Sequence, residues 1–164
     1  MLQKLKIFLI NLFMWCFLPI KYKLKFGNTK KSLDAARVIV NTKGIKNKFD
    51  VTKFIINKME YVSDPLGGFI DIQQDLDYTL KRKWKGDCDD YALVAYRLLQ
   101  VLGYNPEMLT LIRNDLRKNH VVCYAKELDN DKVFLIGTED IQIFNDFKTL
   151  IKNKEAITYS INTI

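Results

Sequence analysis

The chain has 164 residues, of which 48% are hydrophobic, so its length and composition predict one globular domain with its own core. Its net charge of +7 is accounted for by seven lysines within residues 1–31, a stretch without acidic residues. The remainder is neutral overall, which argues against a phosphate-tracking surface and excludes nucleic acid as the expected partner.

Residues 7–20 form an apolar run that is interrupted only by Asn11 and flanked by lysines, and this pattern predicts a hydrophobic N-terminal helix. Fourteen helical residues would span about 21 Å, less than the ~30 Å core of a bilayer. The run also lacks the small-residue cleavage site of a secretory signal. We therefore expect residues 1–27 to be an interfacial or obliquely inserted membrane anchor, on a side of the membrane that the sequence leaves open. A cleaved signal and a helix packed on the domain are the alternatives.

Residues 28–164 are predicted to form the domain, beginning with two helices capped by Ser32 and Asp50. A third, more strongly amphipathic helix is predicted from Asp87 to Leu102, followed by Gly103 as its C-cap. After it, period-two patterning predicts strands over residues 108–113, 120–127, 132–138 and 157–161, and a short helix over residues 145–152. This order predicts an α+β fold in which the third helix packs on an antiparallel sheet.

Cys88 lies at the start of this third helix, and His120, the only histidine of the chain, opens a strand 32 residues later. A cysteine is a strong nucleophile only as its thiolate, and a helix N-terminus or a neighbouring imidazolium lowers its pKa. If the chain uses an imidazole base, His120 alone can supply it. Cys16, Cys88 and Cys123 form neither a disulfide framework nor a zinc site. Strand alternation turns Cys123 away from His120 and predicts a buried core thiol.

A carboxylate that orients the imidazole can be sought across the hairpin that is predicted to turn at residues 129–131. A three-residue loop sets His120 opposite Asp140, whereas a two-residue loop sets it opposite Glu139. Either carboxylate could accept an imidazole N–H and fix its tautomer. We prefer Asp140 because a shorter side chain is held more easily.

Three carboxylates, those of Asp87, Asp89 and Asp90, surround Cys88 in the sequence. At a helix N-terminus they are expected to cap the helix and to interact favourably with its dipole. Negative charge beside a thiol also raises its pKa, so a compensating positive group is expected. Candidates are His120, the basic residues within 81–85, and a hard cation such as Ca²⁺.

Taken together, the run from Trp84 to Ala92, the apolar helix after it and the later run from Asn119 to Val122 resemble bacterial and phage transglutaminase-like cysteine peptidases. The likeness covers roughly residues 50–141. It implies a papain-like α+β fold with Cys88 as the nucleophile and His120 as the base. The chemistry that the resemblance implies requires no cofactor. Some relatives bind calcium through acidic residues beside the cysteine, and in this chain that site would fall on Asp87 and Asp89.

The chain departs from the family pattern at the third member of the triad. The family usually ends the strand after the histidine strand with an aspartate, whereas here Gly137 and Thr138 follow that strand, and Glu139 and Asp140 come slightly later. The orienting carboxylate is therefore displaced or altered.

The leading prediction is a thiol-dependent hydrolase that acts on a peptide or protein through an acyl-enzyme, with Cys88, His120 and Asp140 as its triad. The oxyanion hole would use the backbone N–H of Cys88 and a side chain such as Gln73 or Gln74. Transfer of the acyl group to an amine is one alternative. A catalytically lapsed, membrane-tethered binding or assembly module of the same fold is another.

Overall fold

The structure, a computed structural model, describes residues 25–63, 72–112, 120–154 and 158–162. Its elements in chain order are β1 (Lys25–Phe26), α1 (Thr29–Lys43), α2 (Lys48–Lys58), β2 (Glu60–Tyr61), β3 (Gln73–Gln74), α3 (Leu76–Lys81), β4 (Lys85–Gly86), α4 (Cys88–Val101), β5 (Glu107–Ile112), β6 (His120–Lys126), β7 (Val133–Ile136), β8 (Ile141–Phe144), α5 (Phe147–Asn153) and β9 (Thr158–Asn162).

Asparagine side chains begin the first two helices. Asn28 and Asn47 accept backbone N–H groups of the first turn of α1 and α2, which satisfies donors that have no partner within the helix. The caps predicted at Ser32 and Asp50 are therefore wrong by about one turn. Ser32 is instead fully buried, and its hydroxyl donates a hydrogen bond of 3.0 Å to Asp77 near the start of α3.

Five antiparallel strands form the main sheet in the order β8-β7-β6-β5-β9, and two small parallel pairs, β1 with β3 and β2 with β4, lie outside it. The sequence predicted β5, β6, β7 and β9 to within a few residues. It missed β8, because the predicted third strand was carried through residue 138, whereas β7 ends at Ile136. The chain turns after Ile136 and returns as the edge strand β8.

Helix α4 packs on this sheet and is buried from Asp89 to Leu99. One core cluster joins α4 to Cys123, Ala125 and Phe134, and a second cluster on the other strand face joins Val122 to the residues that pack on α5. Cys123 has no exposed surface, and burial raises the pKa of its thiol well above the ordinary value. The predicted α+β fold and the buried Cys123 are thus confirmed.

A buried ion pair ties α4 to the start of α3. Arg97 is 1% exposed, and its guanidinium donates two hydrogen bonds, of 3.0 and 2.7 Å, to the carboxylate of Asp75. Asp75 also accepts the backbone N–H of Leu76 and so caps α3. The charge of Arg97 is therefore matched inside the domain, and its removal would leave a buried carboxylate uncompensated.

The topology brings the start of α4 and the start of β6 to the same end of the domain. Residues 102–106 join α4 to β5, so β5 runs back along the helix, and the two have matching lengths of about 21 and 20 Å. β6 pairs antiparallel with β5, with His120 opposite Leu111 near the end of β5. β6 therefore runs in the same direction as α4.

The hydrophobic N-terminal helix predicted within residues 1–27 lies outside the described residues. Among the helices of the described part, none has the length and apolar character needed to cross a membrane.

Candidate active site

Cys88 is the first residue of α4 and is half-buried. Asp87 precedes it as the N-cap and accepts the backbone N–H of Asp89 at 3.3 Å, while Asp90 accepts the backbone N–H of Asp87 at 3.2 Å. This reciprocal pattern is a capping box, so two of the three carboxylates have the helix-capping role that the sequence predicted. The positive end of the α4 dipole acts on the thiol and favours its ionised form.

Asp90 anchors more than its own helix. It has no exposed surface, and its carboxylate accepts two further hydrogen bonds of 2.7 Å, from the backbone N–H and the Nε2 amide of Gln74 in β3. The start of α4 is thereby fixed to β3. The sequence predicted that these carboxylates cap the helix. It missed the hydrogen bonds that Asp90 accepts from Gln74, which is 16 residues away in the chain.

Gln74 was one of two side chains expected to line an oxyanion hole. Its side chain is fully buried, and the Nε2 group donates to Asp90. The amide of Gln74 is therefore used to hold the start of α4, and Gln73, which is half-buried, is the member of the pair nearer to solvent.

Gly86 is required by the packing of Asp90. A Cβ atom at position 86 would lie closer than 3.0 Å to the Cβ and carboxyl atoms of Asp90, a separation that real side chains do not show. Gly86 also lies in β4 opposite Tyr61, and its carbonyl accepts the N–H of Val62 at 2.9 Å. The glycine of the sequence motif thus lets β4 pass directly under the buried carboxylate.

Two left-handed residues, Lys83 and Trp84, precede β4 with φ of 57° and 65°. This backbone region is unfavourable for residues with a side chain. The N–H of Trp84 donates to the carbonyl of Thr79, and the carbonyl of Trp84 accepts the N–H of Glu60, both at 2.9 Å. An edge-on ring contact with Phe54 also holds Trp84 in this conformation. Tertiary packing therefore fixes the conformation of the turn that precedes β4 and Cys88.

His120 is half-buried at the start of β6, and its imidazole faces the end of β7. The Nε2 atom lies 3.6 Å from the position that a Cβ atom on Gly137 would occupy. The imidazole therefore packs beside the backbone of Gly137, the residue that follows the end of β7.

The hairpin register that favoured Asp140 is wrong. β6 and β7 pair Cys123 with Ile136, the register that a two-residue loop was predicted to give, in which Glu139 would oppose His120. Pairing stops at Ile136, because the chain turns there and the N–H of Gly137 donates to the carbonyl of Asp140 at 3.2 Å. The turn carries Glu139 and Asp140 off the line of the strand.

Asp140 is exposed, and its carboxylate accepts hydrogen bonds of 2.9 and 3.2 Å from Nε2 of Gln142. Its side chain is thus engaged with the neighbouring strand β8. The role of Asp140 as the residue that orients His120 stays a prediction.

The carboxylates of Asp87, Asp89 and Asp90 approach one another to within 4.8 Å. The hydrogen bonds that Asp90 accepts leave Asp87 and Asp89 as the pair better able to hold a cation, and these are the residues that the sequence resemblance implied. The amide oxygen of Gln74, beside Asp90, is buried and accepts no hydrogen bond from the described residues. Clustered carboxylate and amide oxygens are the ligands that Ca²⁺ prefers, so the donor set fits that ion.

The fold is shared with solved bacterial proteins. LapG of Legionella pneumophila, a transglutaminase-like cysteine peptidase, is 18% identical to the chain in its EGTA-treated form, with a TM-score of 0.53 over 75% of this chain and 69% of that one. Its calcium-bound form is 19% identical, with a TM-score of 0.53 over 72% and 68%. A proposed cysteine protease from Cytophaga hutchinsonii is 16% identical, with a TM-score of 0.50 over 90% of this chain and 51% of that one.

No family model matches the sequence, and no curated protein is similar to it at a significant level. At these identities the structural likeness shows the fold. The chain thus has the fold of LapG, and this is the transglutaminase-like fold that the sequence motif implied.

Proposed function

We propose that the protein is a thiol-dependent hydrolase of peptide or amide bonds, with Cys88 as the nucleophile and His120 as the base. One observation carries the proposal: the only histidine of the chain begins β6 at the end of the domain where Cys88 begins α4. The two groups are 32 residues apart in sequence. The cysteine-protease fold supports the same assignment.

The reaction follows from the roles of these two groups. The Cys88 thiolate attacks the carbonyl carbon of the substrate, and the new C–S bond gives a tetrahedral oxyanion, which the backbone N–H of Cys88 would stabilise. The protonated imidazole gives its proton to the leaving amine, and the C–N bond breaks. Water then attacks the thioester, His120 takes a proton from it, and the carboxylic acid leaves as the thiolate is restored.

The ionisation of Cys88 is set by opposing influences. The N-terminus of α4 and an imidazolium at His120 stabilise the thiolate, whereas the nearby carboxylates of Asp87 and Asp89 destabilise it. A Ca²⁺ ion held by these two carboxylates would neutralise their charge and so remove their effect on the thiolate. The calcium-bound form of LapG and the donor set beside Cys88 support this proposal.

Two further readings use the same fold. Transfer of the acyl group to an amine would use the same thioester, with an amine in place of water. A catalytically lapsed binding module of the same fold is favoured by the departure from the family pattern, because Gly137 and Thr138 follow β7 where the family usually has an aspartate. We also retain as a proposal that residues 1–27 bind a membrane surface; nothing in the described residues supports this contact.

The deciding experiment measures alkylation of Cys88 by iodoacetamide as a function of pH, by mass spectrometry, in the full chain and in His120→Ala. An activated pair predicts a reaction that persists well below pH 7 in the wild type and is lost in the variant. Cys123, which is fully buried, serves as an internal reference for unfolding. A profile that rises only near the ordinary thiol pKa of about 8.5, whether or not His120 is present, would favour the lapsed module.

A further inference from the structure

The N-terminal end of the described chain is docked on β3, the strand that holds the start of α4. β1 pairs parallel with β3, with Lys25 opposite Gln73 and Phe26 opposite Gln74. The carbonyl of Phe26 accepts the backbone N–H of Asp75 at 2.7 Å. Within the described residues β1 is the only strand that pairs with β3, so no other strand holds β3 in place.

Two further contacts fix the chain where it leaves β1. The ring of Phe26 stacks on that of Tyr78 in α3, with 5.2 Å between the ring centroids. The backbone N–H of Asn28 donates to Oδ1 of Asp77 at 2.8 Å, and the same oxygen accepts the hydroxyl of Ser32. β1 and the start of α1 are thereby joined to the first turn of α3.

Gly27 permits this close approach. Its φ of 121° lies in the region that glycine adopts far more readily than other residues. A Cβ atom at this position would lie 2.6 Å from the Cβ of Asp75 and 2.6 Å from Oδ1 of Asp77, which is closer than real side chains allow. Alanine at position 27 should therefore displace β1 from β3 and α3.

The contacts continue from β3 to Cys88 through hydrogen bonds to one carboxylate. Gln74 donates two hydrogen bonds to Asp90, and Asp90 also accepts the backbone N–H of Asp87, the N-cap of α4. Cys88 follows as the first residue of the helix. A continuous series of hydrogen bonds thus leads from the carbonyl of Phe26 to the start of α4.

A second link joins the same elements further along α4. Arg97, which donates to the carboxylate of Asp75, also donates to the hydroxyl of Thr29, the first residue of α1, at 3.4 Å. Asp75 therefore contacts β1 through its backbone N–H and α4 through its carboxylate. Such networks of hydrogen bonds and packed elements carry coupling between distant parts of a protein.

β1 is the least buried part of this network. Both of its residues are exposed, and Phe26 is 39% exposed, whereas Gln74 and Asp90 have no exposed surface. Short elements with exposed backbone hydrogen bonds open at a lower free-energy cost than buried ones. We therefore expect the network to open first at β1.

We propose that β1 is a positioning element of the candidate active site. While residues 25–28 are docked on β3 and α3, the start of α4 stays in place, and their displacement releases it together with Cys88. The inference rests on the proposed function, because it names what controls the position of that nucleophile. Since β1 continues from residues 1–24, the apolar, lysine-rich segment is joined to the site at this point.

The test compares Gly27→Ala with Gly44→Ala in the full chain. Gly44 also has a left-handed backbone, with φ of 63°, but a Cβ atom there would meet no other atom within 4 Å, so the control strains the backbone without displacing an element. Phe26→Ala removes the ring contact with Tyr78, and Phe26→Tyr keeps it. Phe49→Ala, which truncates a 52% exposed ring in α2, is the control for Phe26→Ala. Circular dichroism checks the folding of every variant.

The first readout is a proton–nitrogen correlation NMR spectrum, in which the amide signals of Gln74 and Asp87 report on their hydrogen bonds to Asp90. Gly27→Ala should shift the backbone signals of both residues and the side-chain signal of Gln74, and Phe26→Ala should shift them less. Phe26→Tyr and the two controls should leave them in place.

The second readout is the rate at which iodoacetamide alkylates Cys88 at pH 6. This rate should fall by about 2-fold to 5-fold in Gly27→Ala, the factor that an ordered helix N-terminus typically contributes. Phe26→Tyr should restore the rate that Phe26→Ala lowers. Gly44→Ala and Phe49→Ala should react like the wild type.

Unchanged signals of Gln74 and Asp87 in folded Gly27→Ala overturn the inference, and so do equal shifts in Gly44→Ala. If Gly27→Ala does not fold, Phe26→Ala and its rescue by tyrosine decide the question by the same criteria. Shifted signals with an unchanged alkylation rate overturn it too, because Cys88 then does not depend on β1.

Failure of the proposed function is seen in the wild type. If Cys88 of the wild type reacts at pH 6 no faster than an ordinary thiol, the thiol chemistry is overturned and the positioning role falls with it. If the wild type is activated and the variants match it in both readouts, only the inference about β1 is overturned.

Discussion

Replacement of Gly137 by aspartate should create an orienting carboxylate for His120. A Cβ at this position lies 3.6 Å from Nε2 of the imidazole, which is an ordinary van der Waals distance, and the backbone of Gly137 has no left-handed φ that would strain a side chain. The carboxyl carbon lies about 1.5 Å beyond Cβ, so a rotamer turned toward the ring brings an oxygen within hydrogen-bond reach. Position 137 therefore has space for a carboxylate beside the imidazole.

The magnitude follows from charge at this distance. A carboxylate within hydrogen-bond reach commonly moves the pKa of a neighbour by about 1 to 3 units in favour of the charged form. Because the charged form of imidazole is the protonated one, its pKa rises, and the thiolate–imidazolium pair persists to higher pH. We expect the upper pH limit of peptide hydrolysis to rise by about 1 to 3 units, the shift that a carboxylate at this distance gives.

The assay compares Gly137→Asp with Gly137→Asn and Gly137→Ala. Asparagine has nearly the same shape without the charge, and alanine fills only the Cβ position. The pH profile of Cys88 alkylation and the peptide cleavage rate are measured for all four proteins. If the aspartate and asparagine variants have the same upper pH limit and rate as the alanine variant, the imidazole facing Gly137 is not the catalytic base, and the reasoning fails.

The remaining predictions concern stability and calcium. Gly86→Ala should lower the free energy of unfolding by about 1 to 3 kcal/mol, because the new methyl group overlaps Asp90; thermal unfolding measures this, and an unchanged melting temperature contradicts the packing. Asp75→Ala should cost about 3 to 5 kcal/mol because it leaves a buried guanidinium unpaired, whereas Asp34→Ala, in an exposed ion pair, should cost under about 1 kcal/mol; equal losses in urea unfolding would refute the distinction. EGTA should raise the apparent pKa of Cys88 alkylation in the wild type and have no effect in Asp89→Asn, and a variant that still responds to EGTA would exclude this residue as a ligand.

The amphipathic signals of the sequence were sufficient for most of the fold. The face of α4, the capping spacing before it and the alternation in β6 are local patterns, and each determined its element correctly. The errors were at turns. Asn28 and Asn47 were overlooked as caps because Ser32 and Asp50 are equally good caps in isolation. The tertiary bond from Ser32 to Asp77, which shows that the Ser32 hydroxyl does not cap its own helix, cannot be read from the local sequence.

The candidate site was predictable in part for the same reason. The positions of Cys88 and His120 follow from local helix and strand starts, whereas the third member depends on where β7 stops. No local pattern distinguishes a strand that continues through residue 138 from one that turns at Gly137. The role of Asp90 needed tertiary information too, because its partner Gln74 is 16 residues away.

Asp90 also makes the start of α4 a cooperative unit for hydrogen exchange. The backbone N–H groups of Gln74 and Asp87 donate to the two oxygens of this one buried carboxylate, so movement of Asp90 breaks both hydrogen bonds together. Local opening of β3 and fraying of the α4 N-terminus thus become one event with one free energy. Cys88 lies between Asp87 and Asp90, so its backbone leaves its place at the start of α4 only when that unit opens.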